Sequence, residues 1–422
     1  MYMRILGALL LSAAALTHAD STPRTSTQLK IGDSSGGDRG LAAELARGYL
    51  QSRGGSDIQV IRRGSQMRVS GRIDGTSLRF AISSPRRETA LIRLADGGLD
   101  LALTSGRAAA DQRQRLAGSG GLLEEVAGLQ ALVLAVHPDN PVGAIDESSL
   151  RQLLRTGNGN WRDFGGEDAP IALTASDQLA EPLLQALAPA VTDRRDEASL
   201  ELILQQNPLA LALLPLQQAD NYSKLAVTTG STSLQPLPAL IASEDYPLSR
   251  RLYLYARDGR QNPLLDEFVE FVLSDAGQAL VDANNLVSLK PRPLDITPRG
   301  DMPAPYRKLA SEGQRISIAF RFDNGGSELD VRAQQDISRL AAFLGQAENR
   351  GRKIALVGFS DRQRRDAMAL TISRFRTVIV NRHLRGVDIA AEHTLALGAS
   401  APLTRDENTS EQRNARVEVW LL

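Results

Sequence analysis

The stretch Val357-Gly-Phe-Ser-Asp361 closes a short apolar run that begins at Lys353, and Arg376 follows Asp361 by fifteen residues. A short apolar run that ends at a glycine is typical of a buried strand. From Asp366 to Leu384 apolar residues recur at steps of three and four, which predicts a helix. The sequence therefore predicts an acid on a loop after a strand and an arginine on the helix that follows.

Two neighbouring stripes on this predicted helix set the direction of the arginine. The expected buried stripe is apolar and consists of Met368, Ile372, Phe375 and Ile379. Ala369, Ser373 and Arg376 repeat at the same spacing, which places the guanidinium group at the edge of the buried face. Asp361 and Arg376 then suit a zwitterion, since a carboxylate binds an ammonium group and a guanidinium group binds a carboxylate. A surface salt bridge is the alternative interpretation of the same spacing.

Length and composition predict two or three ordinary domains, because the chain has 422 residues and 42% hydrophobic content. Lys+Arg and Asp+Glu both number 49, so the net charge gives no general reason to expect nucleic acid or an anionic membrane as partner. The segment from Gly351 to Gly386 is locally basic, with nine Arg or Lys residues against two Asp. This basic stretch indicates a solvated face or contact with an anionic polymer. Its lack of interleaved aromatic residues argues against nucleic acid.

The first residues predict export. Arg4 precedes the apolar run Ile5 to Leu16, and Thr17-His-Ala19 follows, which is typical of a signal peptide spanning residues 1–19. No later segment is apolar enough to cross a membrane. There is no cysteine and the four histidines lack metal-ligand spacing, so we expect no disulfide, no metal and no cofactor. The mature protein is expected in the periplasm.

From Gln28 to Leu289 short strand-like and helical runs alternate, as in an α/β protein. Serine-rich turns follow two of the predicted strands, and backbone N–H groups in such turns can bind an anion. The candidate anion-binding residues are Ser34, Ser35, Ser83 and Ser84. The alternative is that they are turn residues and helix N-caps without a ligand.

A hydrolase is a second interpretation of Gly32-Asp-Ser-Ser-Gly36, with Ser34 as nucleophile. A trypsin-like protease needs an upstream histidine, and only His18 precedes. A GDS-type esterase needs an Asp-x-x-His pair late in the chain, and neither His383 nor His393 has an aspartate three residues before it. We therefore expect a protein that is not an enzyme.

Several motifs in the middle of the chain occur in a characteristic order. They are His137-Pro-Asp-Asn-Pro141, Asn160-Trp-Arg-Asp163, Tyr246-Pro-Leu-Ser-Arg250, Leu252-Tyr-Leu-Tyr255 and Gly277-Gln278. Together they resemble the phosphate-type (PstS-like) substrate-binding proteins of ABC transporters. The resemblance implies a two-lobed α/β periplasmic-binding-protein domain of type II over residues 28–289, with ligand held in the cleft. We expect one lobe at 28–107 plus 237–289 and the other at 108–236.

This sequence departs from that family at the anion-binding turns. Thr174-Ala-Ser-Asp177 stands where the family has an arginine and a Ser-Gly-Thr turn, and Ser105 stands where phosphate binders have an acid. Phosphate or another small anion is the expected cleft ligand, and a receptor that serves an ABC importer is the alternative function.

Residues 290–313 contain five prolines between Lys290 and Pro305, which predicts a semi-rigid linker. Residues 314–422 then form a second domain. Its motifs Gly358-Phe-Ser-Asp361, Ile372-Ser-Arg-Phe-Arg376-Thr and Asn414-Ala-Arg-Val-Glu418 resemble those of the OmpA-like peptidoglycan-binding domain, which has an α+β fold.

The resemblance implies that Asp361 and Arg376 hold the zwitterionic end of diaminopimelate in peptidoglycan stem peptides, and that Ser373 and Asn414 support them. Three residues depart from the family pattern, namely Arg364, Ala369 and Ala415. The whole chain is then expected to be a solute-binding-like protein of the cell envelope, held noncovalently to peptidoglycan, at the inner face of the outer membrane.

Overall fold

A computed structural model describes residues 27–35, 40–118, 120–230, 232–257, 262–323, 326–404 and 413–422. The predicted signal peptide lies outside these residues. Within them, no helix is long and apolar enough to cross a membrane.

The strands follow one another in the described part of the chain as β1 (Gln28–Ser34), β2 (Ser56–Arg63), β3 (Gln66–Ile73), β4 (Thr76–Ser83), β5 (Leu101–Ser105), β6 (Leu122–Ala131), β7 (Val133–Val136), β8 (Ala144–Asp146), β9 (Ala172–Ser176), β10 (Arg194–Arg195), β11 (Ala210–Leu214), β12 (Ser223–Lys224), β13 (Ala226–Thr229), β14 (Thr232–Leu234), β15 (Ser249–Arg257), β16 (Pro293–Leu294), β17 (Gln314–Arg321), β18 (Ile354–Gly358), β19 (His393–Ala396) and β20 (Arg416–Leu421).

The α-helices of the same residues are α1 (Leu41–Ser52), α2 (Arg87–Ala95), α3 (Ala110–Ala117), α4 (Glu147–Thr156), α5 (Glu181–Leu187), α6 (Glu197–Gln206), α7 (Pro238–Ala242), α8 (Pro263–Leu273), α9 (Asp275–Ala283), α10 (Ala304–Glu312), α11 (Val331–Gly345) and α12 (Asp366–Arg385). Short 3₁₀ turns occupy Trp161–Phe164 and Gln218–Asn221.

The first lobe is built on a seven-stranded sheet with the order β2-β3-β4-β1-β5-β15-β6. β1 runs parallel to β4 and β5, whereas β15 runs antiparallel to β5 and β6. Helices α1, α8 and α9 cover one face, where Leu45, Phe80 and Phe268 are fully buried. Burial of these apolar side chains is the main stabilising contribution of this layer.

The second lobe contains a five-stranded sheet, β10-β9-β11-β7-β12, and a small sheet, β14-β13-β8. Two segments join it to the first lobe, and they are hydrogen-bonded to each other. The buried hydroxyl of Tyr246 donates to the Leu132 carbonyl at 3.0 Å, and the Leu132 N–H donates to the Leu248 carbonyl at 3.0 Å. The motif that begins at Tyr246 therefore forms the crossing between the lobes.

The assignment of residues 122–131 to the second lobe was wrong. These residues form β6, which pairs with all nine residues of β15 in the sheet of the first lobe. Pairing with β15 satisfies the backbone donors and acceptors of β6. The partner strand, and not the position of β6 in the sequence, therefore decides the lobe to which β6 belongs. The chain crosses to the second lobe only after Ala131.

The C-terminal domain has a five-stranded sheet with the order β16-β17-β20-β18-β19. α11 and α12 pack on one face, where Phe320, Leu340 and Leu384 are buried. α10 packs on the other face against Val357 and Trp420. The predicted strand from Lys353 to Val357 and the predicted helix from Asp366 to Leu384 are confirmed as β18 and α12.

The predicted linker at 290–313 was wrong, since this segment folds onto the C-terminal domain. β16 pairs with β17, and Tyr306 on α10 is 5% exposed. The Tyr306 ring meets Phe359 and Trp420 edge to face, at centroid distances of 5.7 and 5.4 Å, and its hydroxyl donates to Glu418 at 2.9 Å. These contacts bury the aromatic ring and satisfy its polar end, which fixes the proline-rich segment in place.

The expected buried stripe of α12 was also wrong, because Met368 and Phe375 are 54% and 56% exposed. The buried face is the neighbouring stripe of mostly small residues, with Ala369, Ser373, Arg376, Thr377, Val380 and Leu384. Gly358 on β18 explains why the small-residue stripe of α12 is buried and the apolar stripe is not. A methyl group added at Gly358 would lie 2.4 Å from the Ser373 carbonyl oxygen and 2.6 Å from Thr377 Cγ2. Sheet and helix are thus too close for large side chains at this crossing.

The two domains meet through buried charges, which we call the interdomain ion cluster: Glu244, Asp245, Arg251, Arg315, Arg321, Asp330 and Arg332. Asp245 is 1% exposed and accepts from Arg315 Nη1 at 2.6 Å. Burial alone would raise the pKa of the Asp245 carboxyl, but Arg315 and Arg416 hold it below its ordinary value. The carboxylate is therefore charged and paired inside the interface.

Asp245→Ala should destabilise the protein, because it leaves the guanidinium group of Arg315 buried without its nearest carboxylate. Breaking a buried ion pair costs about 3–5 kcal/mol of unfolding free energy. Urea denaturation of the full chain measures the loss. The control is Asp168→Ala, which breaks a pair with Arg162 whose side chains are 66% and 63% exposed, and should cost less than about 1 kcal/mol. Equal losses in the two variants would contradict the assignment.

Gly358→Ala should destabilise the C-terminal domain by about 1–3 kcal/mol, since the new methyl group must displace the backbone of α12. Gly345→Ala is the matched control, because its added methyl group meets nothing within 4 Å and it lies in a helix. The control should be neutral or stabilise by about 0.4–1 kcal/mol. Thermal or urea unfolding measures both, and a neutral Gly358→Ala would show that the sheet and helix separate freely.

Candidate functional site

Antiparallel pairing brings the predicted polar residues of the C-terminal domain together. β18 pairs with β20, with Gly358 opposite Val417, so the loop after β18 lies beside the residues that precede β20. Asp361 is on that loop and Asn414 comes two residues before β20. Asn414 Nδ2 donates to Asp361 Oδ1 at 3.2 Å. Two residues 53 positions apart thus form one polar contact.

Asn414 is 3% exposed and uses both ends of its amide. Its Oδ1 accepts from the N–H groups of Leu403 at 2.7 Å and Thr404 at 3.2 Å, and its Nδ2 donates to the Thr404 carbonyl at 3.0 Å. The side chain therefore binds the backbone of residues 403–404 by hydrogen bonds and at the same time orients the carboxylate of Asp361. Asn414 is therefore a buried residue that holds the Asp361 side chain in position.

Ser373 has a similar positioning role on α12. It is fully buried, donates to the Leu370 carbonyl at 2.9 Å and accepts from the Gly398 N–H at 3.0 Å. Gly398 has φ +57°, a left-handed conformation that glycine adopts without strain. The hydroxyl therefore ties the loop after β19 to the helix.

Arg376 lies beneath the loop that carries Asp361. It is 5% exposed, its Nη1 lies 3.5 Å from the Phe359 carbonyl oxygen, and its guanidinium carbon lies 5.2 Å from the centre of the Phe322 ring. The predicted placement at the edge of the buried face is replaced by full burial, because α12 packs on its small-residue stripe. Arg376 is therefore a buried contact of the loop to which Asp361 belongs.

A cavity of about 1060 Å³ opens at Asp361, between the loops after β18 and β19 and the start of α12. Its lining comprises Ser360, Asp361, Arg362, Asp366, Ala369, Leu370, Leu397, Gly398, Ala399, Ser400, Pro402, Thr404 and Asn414. Two carboxylates and one exposed guanidinium group therefore line one opening. Sequence reasoning missed Arg362 and Asp366, although both are adjacent in sequence to the predicted loop.

A second cavity of about 440 Å³ lies between the two lobes of the N-terminal domain. Five amide side chains line it, Gln130, Gln178, Gln217, Asn284 and Asn285, together with Glu197 and Ser35. Gln217 donates to the Asp282 carbonyl, and Asn285 Nδ2 lies 3.4 Å from Gln178 Oε1, so contacts cross from one lobe to the other. Gln130 is 4% exposed, and its Oε1 has no donor among the described residues. A ligand that donates a hydrogen bond would satisfy it.

The predicted anion-binding serines are mostly engaged elsewhere. Ser34 donates to the Pro85 carbonyl at 3.1 Å, Ser83 accepts from Arg93 at 3.3 Å, and Ser84 is exposed. Of the four, Ser35 lines the cavity between the lobes, and its N–H donates to Asp33 Oδ1 at 3.0 Å.

Asp33 occupies part of the predicted anion site with the protein's own carboxylate. It is 4% exposed, and its Oδ2 accepts from the Ala42 N–H at the start of α1 at 2.9 Å. A carboxylate at this helix N-terminus satisfies the free N–H groups and the helix dipole. Sequence reasoning missed this role, although the acid stands directly before Ser34. The turn at 36–39 lies outside the described residues.

The comparisons with known proteins concern mainly the N-terminal domain. A family model described as the PBP superfamily domain matches residues 72–276. The phosphate-binding protein PstS of Borreliella burgdorferi is 22% identical over 187 residues, which cover 40% of this chain and 67% of that protein.

Two solved structures are similar to the chain over different shares of its length. An ABC-type phosphate transport receptor from Vibrio cholerae is 17% identical and covers 61% of this chain and 99% of its own, with a TM-score of 0.47. The peptidoglycan-associated lipoprotein from Burkholderia pseudomallei is 22% identical and covers 25% of this chain and 89% of its own, with a TM-score of 0.22. The family match and the two lobes described above agree, and the N-terminal domain has the two-lobed α/β fold of periplasmic binding proteins.

Proposed function

We propose that the protein is a periplasmic solute-binding protein whose C-terminal domain attaches it to peptidoglycan. The single observation that supports attachment is the contact between Asp361 and Asn414 at the opening of a cavity of about 1060 Å³. The resemblance of the three C-terminal motifs to OmpA-like domains names the ligand class.

The chemistry of the opening suits the zwitterionic end of a diaminopimelate stem peptide. Asp361 and Asp366 offer carboxylates to an ammonium group, and Arg362 offers an exposed guanidinium group to a carboxylate. Asn414 orients Asp361 through the 3.2 Å hydrogen bond, which reduces the side-chain freedom that is lost on binding. Arg376 supports the loop from below through the Phe359 carbonyl.

The full chain should co-sediment with purified diaminopimelate-type sacculi, and Asp361→Asn should reduce the bound fraction sharply. The substitution keeps the shape of the side chain and removes the charge, so the expected loss in affinity is about tenfold or more. Asn414→Ala should weaken binding because it removes the hydrogen bond that orients the Asp361 carboxylate. Arg376→Lys should weaken binding because it alters the contact with the Phe359 carbonyl in the loop that carries Asp361.

Asp388→Asn is the matched control, since Asp388 is exposed in the same domain and does not line the cavity. It should bind sacculi like the unaltered protein. If the Asp361→Asn protein co-sediments as well as the control, the proposed site is wrong. Arg362→Gln then tells whether the exposed guanidinium group meets the ligand.

For the cleft between the lobes we propose a small solute, with phosphate as the candidate because the relative from Borreliella burgdorferi is named a phosphate-binding protein. The protonated oxygen of phosphate can donate to Gln130 Oε1, the buried acceptor that lacks a donor among the described residues. The amide-rich lining supplies further donors to the other oxygens.

Phosphate at about a hundredfold excess over its Kd should raise the melting temperature of the full chain by about 5–8 °C, since a ligand bound only to the native state adds about 2.7 kcal/mol. Gln130→Ala should reduce the shift, and Gln152→Ala, an exposed glutamine on α4, should leave it unchanged. An equal shift in all three proteins would exclude Gln130 from the phosphate site.

A further inference from the structure

A third cavity, of about 400 Å³, lies where both lobes and the C-terminal domain meet. Arg250 at the start of β15 comes from the first lobe, Arg151 on α4 from the second, and Arg413 from the C-terminal domain. None of these residues lines the cleft or the cavity at Asp361. The site is thus separate from both.

The lining of this junction cavity has more arginines than acids, and Glu124 and Glu147 outside the lining pair with Arg107, Arg151 and Arg413. Its six arginines are Arg107, Arg151, Arg250, Arg251, Arg321 and Arg413, and its three acids are Glu244, Asp323 and Asp330. The described lining therefore carries a formal charge of +3. Each acid already has an arginine partner, since Glu244 and Asp330 pair with Arg251 and Asp323 pairs with Arg107.

Arg250 contributes the least compensated charge. Its guanidinium group makes no hydrogen bond or ion pair with any described residue, and its Nε is shielded from solvent without an acceptor. Burial and the neighbouring Arg87 lower the pKa of Arg250. Gly106 makes room for the guanidinium group, because a methyl group on Gly106 would lie 2.1 Å from Arg250 Nη2.

Arg413 faces the same cavity, and its Nε is buried without an acceptor. Its Nη1 donates to Glu147 at 2.6 Å, and its Nη2 donates to the carbonyl oxygens of Asp245 at 2.8 Å and Leu403 at 3.2 Å. Burial lowers the pKa of Arg413 and lowers that of Arg321 to about 10. Arg250 and Arg413 thus each keep a buried Nε–H group without an acceptor beside this cavity.

We propose that the junction cavity is a second anion site, which binds a small tetrahedral oxyanion through Arg250 and Arg413. An oxyanion supplies the missing acceptors and negative charge, and planar guanidinium groups match its oxygen atoms. Since its ligands come from both domains, the bound anion joins them. This site goes beyond the proposed cleft ligand and does not depend on it.

Isothermal titration of the full chain with inorganic phosphate, and separately with sulfate at matched ionic strength, tests the site. Arg250→Gln should weaken the junction site by about tenfold or more, because a hydrogen bond to a charged group is lost. Arg162→Gln is the control, an arginine whose side chain is 63% exposed. Asp323→Asn should tighten binding about threefold, since it removes an acid from the lining.

The cleft and the junction cavity are told apart by their variants. If both sites bind phosphate, Gln130→Ala and Arg250→Gln each lose one of two binding events. Binding that survives in Gln130→Ala and disappears in Arg250→Gln supports the junction site even if the cleft proposal fails. The proposal is overturned if the unaltered protein takes up neither ion at millimolar concentration, or if Arg250→Gln and Asp323→Asn both bind as the Arg162→Gln control does.

Discussion

Asp245 is a buried carboxylate between two domains, and the geometry of the whole molecule depends on how its charge is compensated. Taking a carboxylate out of water costs several kcal/mol, about as much as many folded domains have in total stability. Arg315, from a strand of the C-terminal domain, offsets this cost at 2.6 Å. The preceding residue, Glu244, has φ +62° and pairs with Arg251, Arg321 and Arg332. Two adjacent acids thus bind arginines from two domains. Separation of the domains would break these ion pairs.

This interface fixes the C-terminal domain against both lobes. It contacts the first lobe through Arg107 and Asp323 and the second lobe through Glu147 and Arg413. A rigid domain could not keep both contacts if the angle between the lobes changed, so these two pairs favour the observed angle. Arg413 is also the neighbour of Asn414, which orients Asp361. Glu147 of the second lobe is therefore connected to Asp361 through Arg413 and the adjacent Asn414.

Local patterns in the sequence predicted the strands and helices, and failed where distant residues decide the outcome. The runs ending at Val357 and Leu384 were recognised because their periodicity is local. The buried face of α12 was not, since the close approach of Gly358 selects small residues and leaves Phe375 exposed. The segment at 290–313 was read as a linker because its prolines are local, whereas the aromatic partners of Tyr306 lie more than fifty residues away. Arg315 and Arg332 of the interdomain ion cluster had the sequence appearance of surface charges, since their partners Asp245 and Glu244 are 70 and 88 residues distant.

The candidate site at Asp361 shows the same limit at the level of single charges. The fifteen-residue spacing predicts that Asp361 and Arg376 lie near one loop, because only a short loop and about three helical turns separate them. The spacing does not predict how deeply each of the two side chains is buried. The small-residue contact between α12 and β18 draws Arg376 below the Phe359 carbonyl, while Arg362 stays exposed at the cavity. Arg362 is therefore the exposed guanidinium group of the cavity lining, whereas Arg376 is buried and contacts the loop through the Phe359 carbonyl oxygen. The spacing pointed to one arginine, and the structure places two at this loop.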